Sequence, residues 1–531
     1  MKPRSILASL SSLAVGALLV GCGATGVEST AAAGTVSAAS SASTSAATVT
    51  TATGDAALTV DAARAANASP DAADTAWDAA SSTTVTLTGD SASVDGAGAT
   101  VDGATVTITT GGTYVLTGTL DGQVVVDSAS DDEVKLVLSG ADITSGTGPA
   151  ISVVDAGEAV VVLAEGSTNS LTDAATYADT GEDAPNAALY STADLTIGGD
   201  GSLTVTGRSQ DGIAGTDGLV ISGGTLSVEA ADDGIRGKDH LAVTGGAVTV
   251  DAGGDALKST NDTEADSGFI DISGGTLTLS AGTDGFDAAT DVVISGGAVQ
   301  VDALDDGLHA EFSLVIGGGD VTVTRSYEGL EAQYLALTGG TVEITAEDDG
   351  LNVSAGSTTS DTAPQMGGGP GGGGVVDGLA LVTGGSLTID AGGDGFDSNG
   401  SAEIAGGTVV VHGPLTDGNG ALDVNGTFLV TGGTLLAVGS AGMAEAPDAE
   451  STQGWIQAQT SGPAGATIQI LSGSDVVAEF TAAKDFANVV YSGAGIAAGE
   501  EYAIVVDGQS TTATAGTATG GMGGGGRGPR R

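Results

Sequence analysis

A pair of glycines followed by a short alternating segment recurs at Gly223, Gly245, Gly274, Gly296, Gly318, Gly339, Gly384, Gly406 and Gly432, mostly 22 or 21 residues apart. The steps of 29, 45 and 26 residues mostly take in polar or glycine-rich insertions, such as STNDTEADSG and the run at Gly367–Gly374. A second marker keeps the same phase. Asp211, Asp233, Asp255, Asp284, Asp306, Glu328, Asp349 and Asp394 are each followed by glycine, or alanine after Asp255, and then by a large apolar residue. Two markers at one period define a chain built from stacked units.

Within each unit, pairs such as Leu226/Val228, Val248/Val250, Leu277/Leu279, Val299/Val301 and Val342/Ile344 alternate with small or polar residues. That is the two-residue period of a half-buried strand. About 22 residues leave room for three short strands and their turns, and the consensus of a leucine-rich horseshoe is missing. The predicted fold is all-β: a right-handed parallel β-helix whose coils stack about 4.8 Å apart, with glycines in left-handed turn conformations. Equivalent residues then form columns. The Ile213, Ile235, Leu257, Phe286, Leu308, Leu330, Leu351, Phe396 column reads as core.

The acidic column is more demanding. Two carboxylates about 4.8 Å apart repel by roughly 1 kcal/mol in water and ~3.5 kcal/mol at an effective dielectric near 20. Further acids cluster beside it: Asp232, Asp305 and Asp348 before the column, and Asp287, Glu331 and Asp397, with Asn352, three residues after it. Hard oxygen ligands suit calcium, since the chain has one cysteine and three histidines for softer metals. The expected ligand set is Asp232, Asp233, Asp255, Asp284, Asp287, Asp305, Asp306, Glu328, Glu331, Asp348, Asp349, Asp394 and Asp397. No segment fits an EF-hand loop, so ions would be held between coils. The competing reading is a run of Asp-Gly turns on a solubilising surface. With 67 acidic against 13 basic side chains and a net charge of -54, nucleic acid is not an expected partner.

The flanks read differently. Lys2 and Arg4 precede an apolar run, Ile6 to Val20, closed by Leu19-Val20-Gly21-Cys22. This resembles a bacterial lipobox, which implies a signal peptide over 1–21 and lipidation of Cys22, with the protein anchored on the outer side of the membrane. Residues 22–78, rich in Ala, Ser and Thr, read as a flexible tether. The β-helix is expected over 79–440, a small antiparallel β domain over 441–515 and a disordered Gly/Arg tail over 516–531. A cap at the helix end would block self-association, so a monomer is expected.

The order of motifs from Thr105 (TVTITTGGTYVLTGTLDGQVVVD) through VKLVLSGADITSGTGPAISV, VVVLAEGSTNSLTD and ALYSTADLTIGGDGSLTVTG to GGDALKSTND resembles the carbohydrate-binding β-helix family of bacterial surface proteins, over about residues 80–440. The resemblance implies a fold similar to pectate lyases, calcium between coils, and plant cell-wall polysaccharides, cellulosic or pectin-type, as partners. Its calcium roles carry over to Asp233, Asp255, Asp284, Asp306, Asp349 and Asp394. Glu328 departs conservatively, and Asp417-Gly418 lies in a degraded coil.

The function read from the chain is non-catalytic polysaccharide binding. A calcium-dependent polysaccharide lyase and an adhesin or structural spacer stay open. A lyase needs a base beside the cation, and Arg236 and Lys258, in one column, are the candidates; as ladder neutralisers they would have a structural role. Tyr327 and Tyr334 are the aromatics expected to be exposed among the coils.

Overall fold

The computed structural model describes residues 58–177, 181, 184–355 and 374–519. The signal segment with Cys22 and the Gly367–Gly373 run lie outside these residues.

The described chain is nearly all β. One coil is represented by strands Thr225–Ala230, Ile235–Gly237 and His240–Val243. Each pairs in parallel with its counterpart one coil later: Ala247–Ala252, Leu257–Ser259 and Phe269–Ile272. The pattern continues to Thr408–His412 beside Thr434–Gly439, Phe396–Ser398 beside Leu422–Val424, and Ser401–Ile404 beside Phe428–Val430. Three parallel sheets result, here called first (the Ile235 strands), second (the His240 strands) and third (the Thr225 strands).

Both sequence markers have steric causes. The second glycine of each pair, from Gly224 (φ 88°) to Gly433 (φ 72°), holds a left-handed conformation at the turn into the third sheet, which other residues adopt at a cost. The glycine of Asp-Gly is different. A Cβ on Gly329 would lie 2.2 Å from the Gly350 carbonyl oxygen and 2.4 Å from Ile344, so it is close approach between coils that excludes a side chain there.

The apolar column stands in one register, Ile213↔Ile235↔Leu257↔Phe286↔Leu308↔Leu330↔Leu351↔Phe396. Its members are at most 1% exposed. Alternating third-sheet residues such as Leu226, Val228, Val248 and Val250 face the same core. The β region begins with two antiparallel pairs, Thr83–Gly89 with Ala92–Asp95 and Ala99–Asp102 with Thr105–Ile108.

Residues 58–78 are not a free tether. Helix Val60–Ala66, capped by Thr59, packs Ala63 against Val293, Val315 and Ala336 of the second sheet. Arg64 clasps Asp271 with Nε–Oδ2 at 2.6 Å and Nη2–Oδ1 at 2.7 Å. Farther along, Lys135 Nζ donates to the carbonyls of Asp74 (2.6 Å) and Ala76 (2.9 Å). The segment straps the second sheet through polar anchors and small apolar contacts, which a scan for apolar periodicity does not detect.

At the other end, strands Thr467–Ser472, Asp475–Thr481, Glu501–Val506 and Gln509–Thr514 form a separate antiparallel sheet, whose Ile468, Ile470, Tyr502 and Ile504 share an apolar cluster with Phe486 and with Leu436 and Val438 of the last coil. Asn488–Ser492 pairs instead with Thr434–Gly439 of the last coil and with Trp455–Ala458, covering the terminal edge. Residues 516–519 of the expected tail are held: Gly516 N donates to Trp455 O (2.8 Å) and Thr519 N to Gln457 Oε1 (3.1 Å); 520–531 lie outside the described residues. Among the described residues no helix is long and apolar enough to cross a membrane.

Candidate functional site

The acidic column lies at the entry to the first sheet, and there one oxygen of each of several carboxylates has a structural task. Asp233 Oδ1 accepts from Asp255 N (3.1 Å), Asp255 Oδ1 from Asp284 N (3.0 Å), and Asp284 Oδ1 from Asp306 N (2.8 Å). Asp349 Oδ1 accepts from Asp394 N (2.6 Å) and Asp394 Oδ1 from Gly420 N (2.5 Å). In the competing reading of Asp-Gly turns such a side chain would serve its own turn; here each of these ties its coil to the next. A backbone N–H that the sheets leave unpaired at this corner thereby finds an acceptor.

Three residues later, on the outer side of the first sheet, runs a second column: Arg236, Lys258, Asp287, His309, Glu331, Asn352, Asp397 and Asp423. Its first half is internally paired. Arg236 Nη2 lies 2.7 Å from Asp211 Oδ2. Lys258 Nζ lies against Asp255, 3.0 Å from Asp287 and 3.9 Å from Asp233. His309 Nδ1 is 3.3 Å from Asp287 Oδ1. Burial by itself would raise Asp287, but the His309 hydrogen bond and the Lys258 charge hold it down near 2. Burial opposes protonation of His309 and Lys258; their carboxylate partners prevail, bringing His309 to about 9 and raising Lys258 above the ordinary lysine range. Even so, burial pushes Asp233 and Asp284 up to about 7.

From Asp306 onward no lysine or arginine pairs with these columns among the described residues; His309, bound to Asp287, also feels the charges of Glu331 and Asp306. Asp306, Glu328 and Glu331 bring carboxylate oxygens within 4.8 Å of one another, as do Asp284, Asp305 and Asp306. Burial, then Asp284 and Glu331, raises Asp306. Burial followed by neighbouring acids brings Asp397 to about 8, and burial against the Asp394 N–H, with Asp394 and Asp348 nearby, leaves Asp349 at about 7. Asp394 reaches about 6. Asn352 Nδ2 donates to Glu328 Oε2 (2.8 Å) and Glu331 Oε1 (3.4 Å), a neutral side-chain donor set into the cluster.

An all-oxygen set with surplus negative charge fits a hard cation such as calcium, and Asp306, Glu328, Glu331, Asp305 and Asp284 are the residues that could hold one. Asp284, Asp287 and His309 also converge, but a His309 that keeps its proton for Asp287 opposes a cation there. Asp232 is exposed and outside these groupings. Asp348, Asp349, Asp394 and Asp397 extend the negative face without converging as a triad. Sequence reasoning passed over His309, Asp423 and Glu445. His309 and Asp423 stand in the Asp287 column and were open to a register argument, whereas Glu445, raised to about 7 by burial, sits past the last regular repeat.

The aromatic expectation is half overturned. Tyr334 is 2% exposed although its column does not face the core: Leu335 and Leu337 point inward, whereas Tyr334 is on the same side of the strand as Ala336, against which the strap helix packs, and Phe312 lies edge-on to it. Tyr327 is 47% exposed.

Residues 102–350 match the family model described as carbohydrate-binding domain-containing protein. A protein of that description from Acetivibrio thermocellus is 40% identical over 125 residues, 23% of this chain and 44% of that one; the chain thus spans less than half the length of this relative. A solved structure of the polysaccharide lyase-like protein from C. thermocellum, a gadolinium derivative, is 29% identical and aligns with 49% of this chain and 94% of its own, at a TM-score of 0.38.

Proposed function

We propose that this chain is a surface lipoprotein, anchored through Cys22 on the outer side of the bacterial membrane, whose right-handed β-helix of about 22-residue coils carries calcium and binds polysaccharide, acidic pectin-type or cellulosic, without catalysis. One observation carries the reading: the Asp306, Glu328 and Glu331 oxygens converge with no lysine or arginine paired to them among the described residues, and the neighbouring His309 is bound to Asp287, within the stretch that matches the carbohydrate-binding description. Bound calcium supplies positive charge that a uronate carboxylate can share, which is how a protein of net charge -54 could hold a negative polymer.

The lyase reading requires an unprotonated base beside the cation. Lys258 is surrounded by Asp233, Asp255 and Asp287, which fasten its proton, and the Arg236 guanidinium lies on Asp211. Both serve the fold as neutralisers. Incubation with polygalacturonate and calcium tests the function. Retention of the polymer without an ultraviolet-absorbing unsaturated product supports binding; that product would mean a lyase, and neither result would favour a spacer.

A further inference from the structure

At the corner between the third and first sheets, the residue just before the acidic column is Asp232, Gly254, Thr283, Asp305, Tyr327, Asp348 and Gly393 in successive coils. Six of these seven are acidic or small. Tyr327 is the exception, and about half of it is open to solvent: it is 47% exposed. Its place is fixed by backbone hydrogen bonds, Tyr327 N to Asp305 O at 2.7 Å and Asp348 N to Tyr327 O at 2.9 Å. Tyr327 therefore stands between Asp305 and Asp348, one coil to either side, and the Asp348 carboxylate is close enough to raise its hydroxyl. Leu304, one residue before Asp305, is 58% exposed. A large aromatic and a large aliphatic side chain are thus held in the open on adjacent coils, next to Glu328 and the converging carboxylates. Burial of the exposed half would stabilise either one, and the fold leaves it open.

We infer that Tyr327, flanked by Leu304, is the platform on which one pyranose ring of the bound polysaccharide stacks, with Asp305 and Asp348 accepting hydrogen bonds from its hydroxyls. The chemistry matches on both faces of the sugar. Its axial C–H groups present the weakly positive edge that an aromatic face attracts, and its equatorial hydroxyls donate to ionised carboxylates through strong, charge-assisted bonds. The platform rests on the polysaccharide-binding reading above and deepens it by naming the residue that grips a ring, acidic or neutral.

The test compares the full chain with Tyr327→Ala and Tyr327→Phe in affinity electrophoresis through polygalacturonate and through hydroxyethylcellulose, in calcium. Calcium uptake and melting temperature are measured on the same samples. Tyr327→Ala is expected to weaken retention about tenfold, the scale of one aromatic contact, while Tyr327→Phe retains most of it and calcium uptake and melting stay put in both. Undiminished retention of Tyr327→Ala beside a retained unmutated chain would overturn the platform alone. Loss of calcium uptake or of thermal stability in Tyr327→Ala would assign the ring a structural role and also overturn it. An unmutated chain retained by neither polymer would remove the binding reading and the platform together.

Discussion

Asp287 and Asp397 stand in one column on the outer side of the first sheet, and their carboxyl groups are displaced in opposite directions, to about 2 and about 8. Burial raises both. What differs is the company each coil brings. Asp287 has Lys258 one coil before and His309 one coil after, while Asp397 has Asn352 and Asp423 in those places. The first region is neutralised by its own chain and serves cohesion. The second keeps a surplus of negative charge that the chain does not offset, which is what a site for an external cation requires.

The contrast can be broken from either side. The largest effect is expected from Lys258→Met, which takes the shared cation from Asp233, Asp255 and Asp287 and leaves Asp255 without an ion-pair partner among the described residues. Stability should fall by about 3 kcal/mol, less than for a fully buried pair because Nζ has some access to water, as read from the urea midpoint; an unchanged midpoint would mean the first region does not depend on its lysine. Next comes calcium. At a hundred times its dissociation constant it should stabilise the chain by about 2.7 kcal/mol, seen as a higher melting temperature that chelator reverses. Asp306→Asn combined with Glu331→Gln should abolish that rise.

The same comparison sets the pH dependence. A carboxyl whose pKa is raised by folding contributes stability in acid that is lost as pH climbs from the ordinary range to the folded value. For Asp394, Asp349 and Asp397 that window closes at about 6, 7 and 8, so chelated protein should lose stability between about pH 4 and 8. Asp287 acts oppositely, adding stability above the ordinary carboxylate range that is lost as pH falls toward 2. Asp397→Asn should flatten the first slope by about 1 kcal/mol, measured by urea titration at pH 5 and pH 8. The smallest effect belongs to Arg325→Ala, which removes a 2.6 Å pair with Asp302 on the open third sheet, 47% exposed on both sides; about 0.5 kcal/mol or less is expected.

The coil register was legible because its two glycine markers answer to local sterics: a left-handed turn at Gly224 and its equivalents, and the close approach of coils at Gly329. The core column followed from the same phase, as did the stacking of Arg236 on Lys258. What the repeat could not convey was pairing across coils. Nothing local marks Asp284 as an acceptor for the Asp306 N–H or His309 as the partner of Asp287. The strap over 58–78 was hidden because it docks through side-chain clasps such as Arg64 on Asp271, contacts some two hundred residues apart in sequence. Tyr334 misled because its burial does not come from the core column, which is Leu335 and Leu337, but from cover on the other side of the strand, where Phe312 stands edge-on to it, and the alternation of the strand does not show that cover.

Calorimetric titration of calcium into the metal-free full chain and into the Asp306→Asn, Glu331→Gln variant goes most directly to the claim that the unpaired region, and not the whole ladder, takes up the ion. Saturable binding in the unmutated chain that disappears in the variant, yet persists in Asp287→Asn, is the predicted result. No binding at all, or binding that survives the double substitution and is lost with Asp287→Asn, would contradict it.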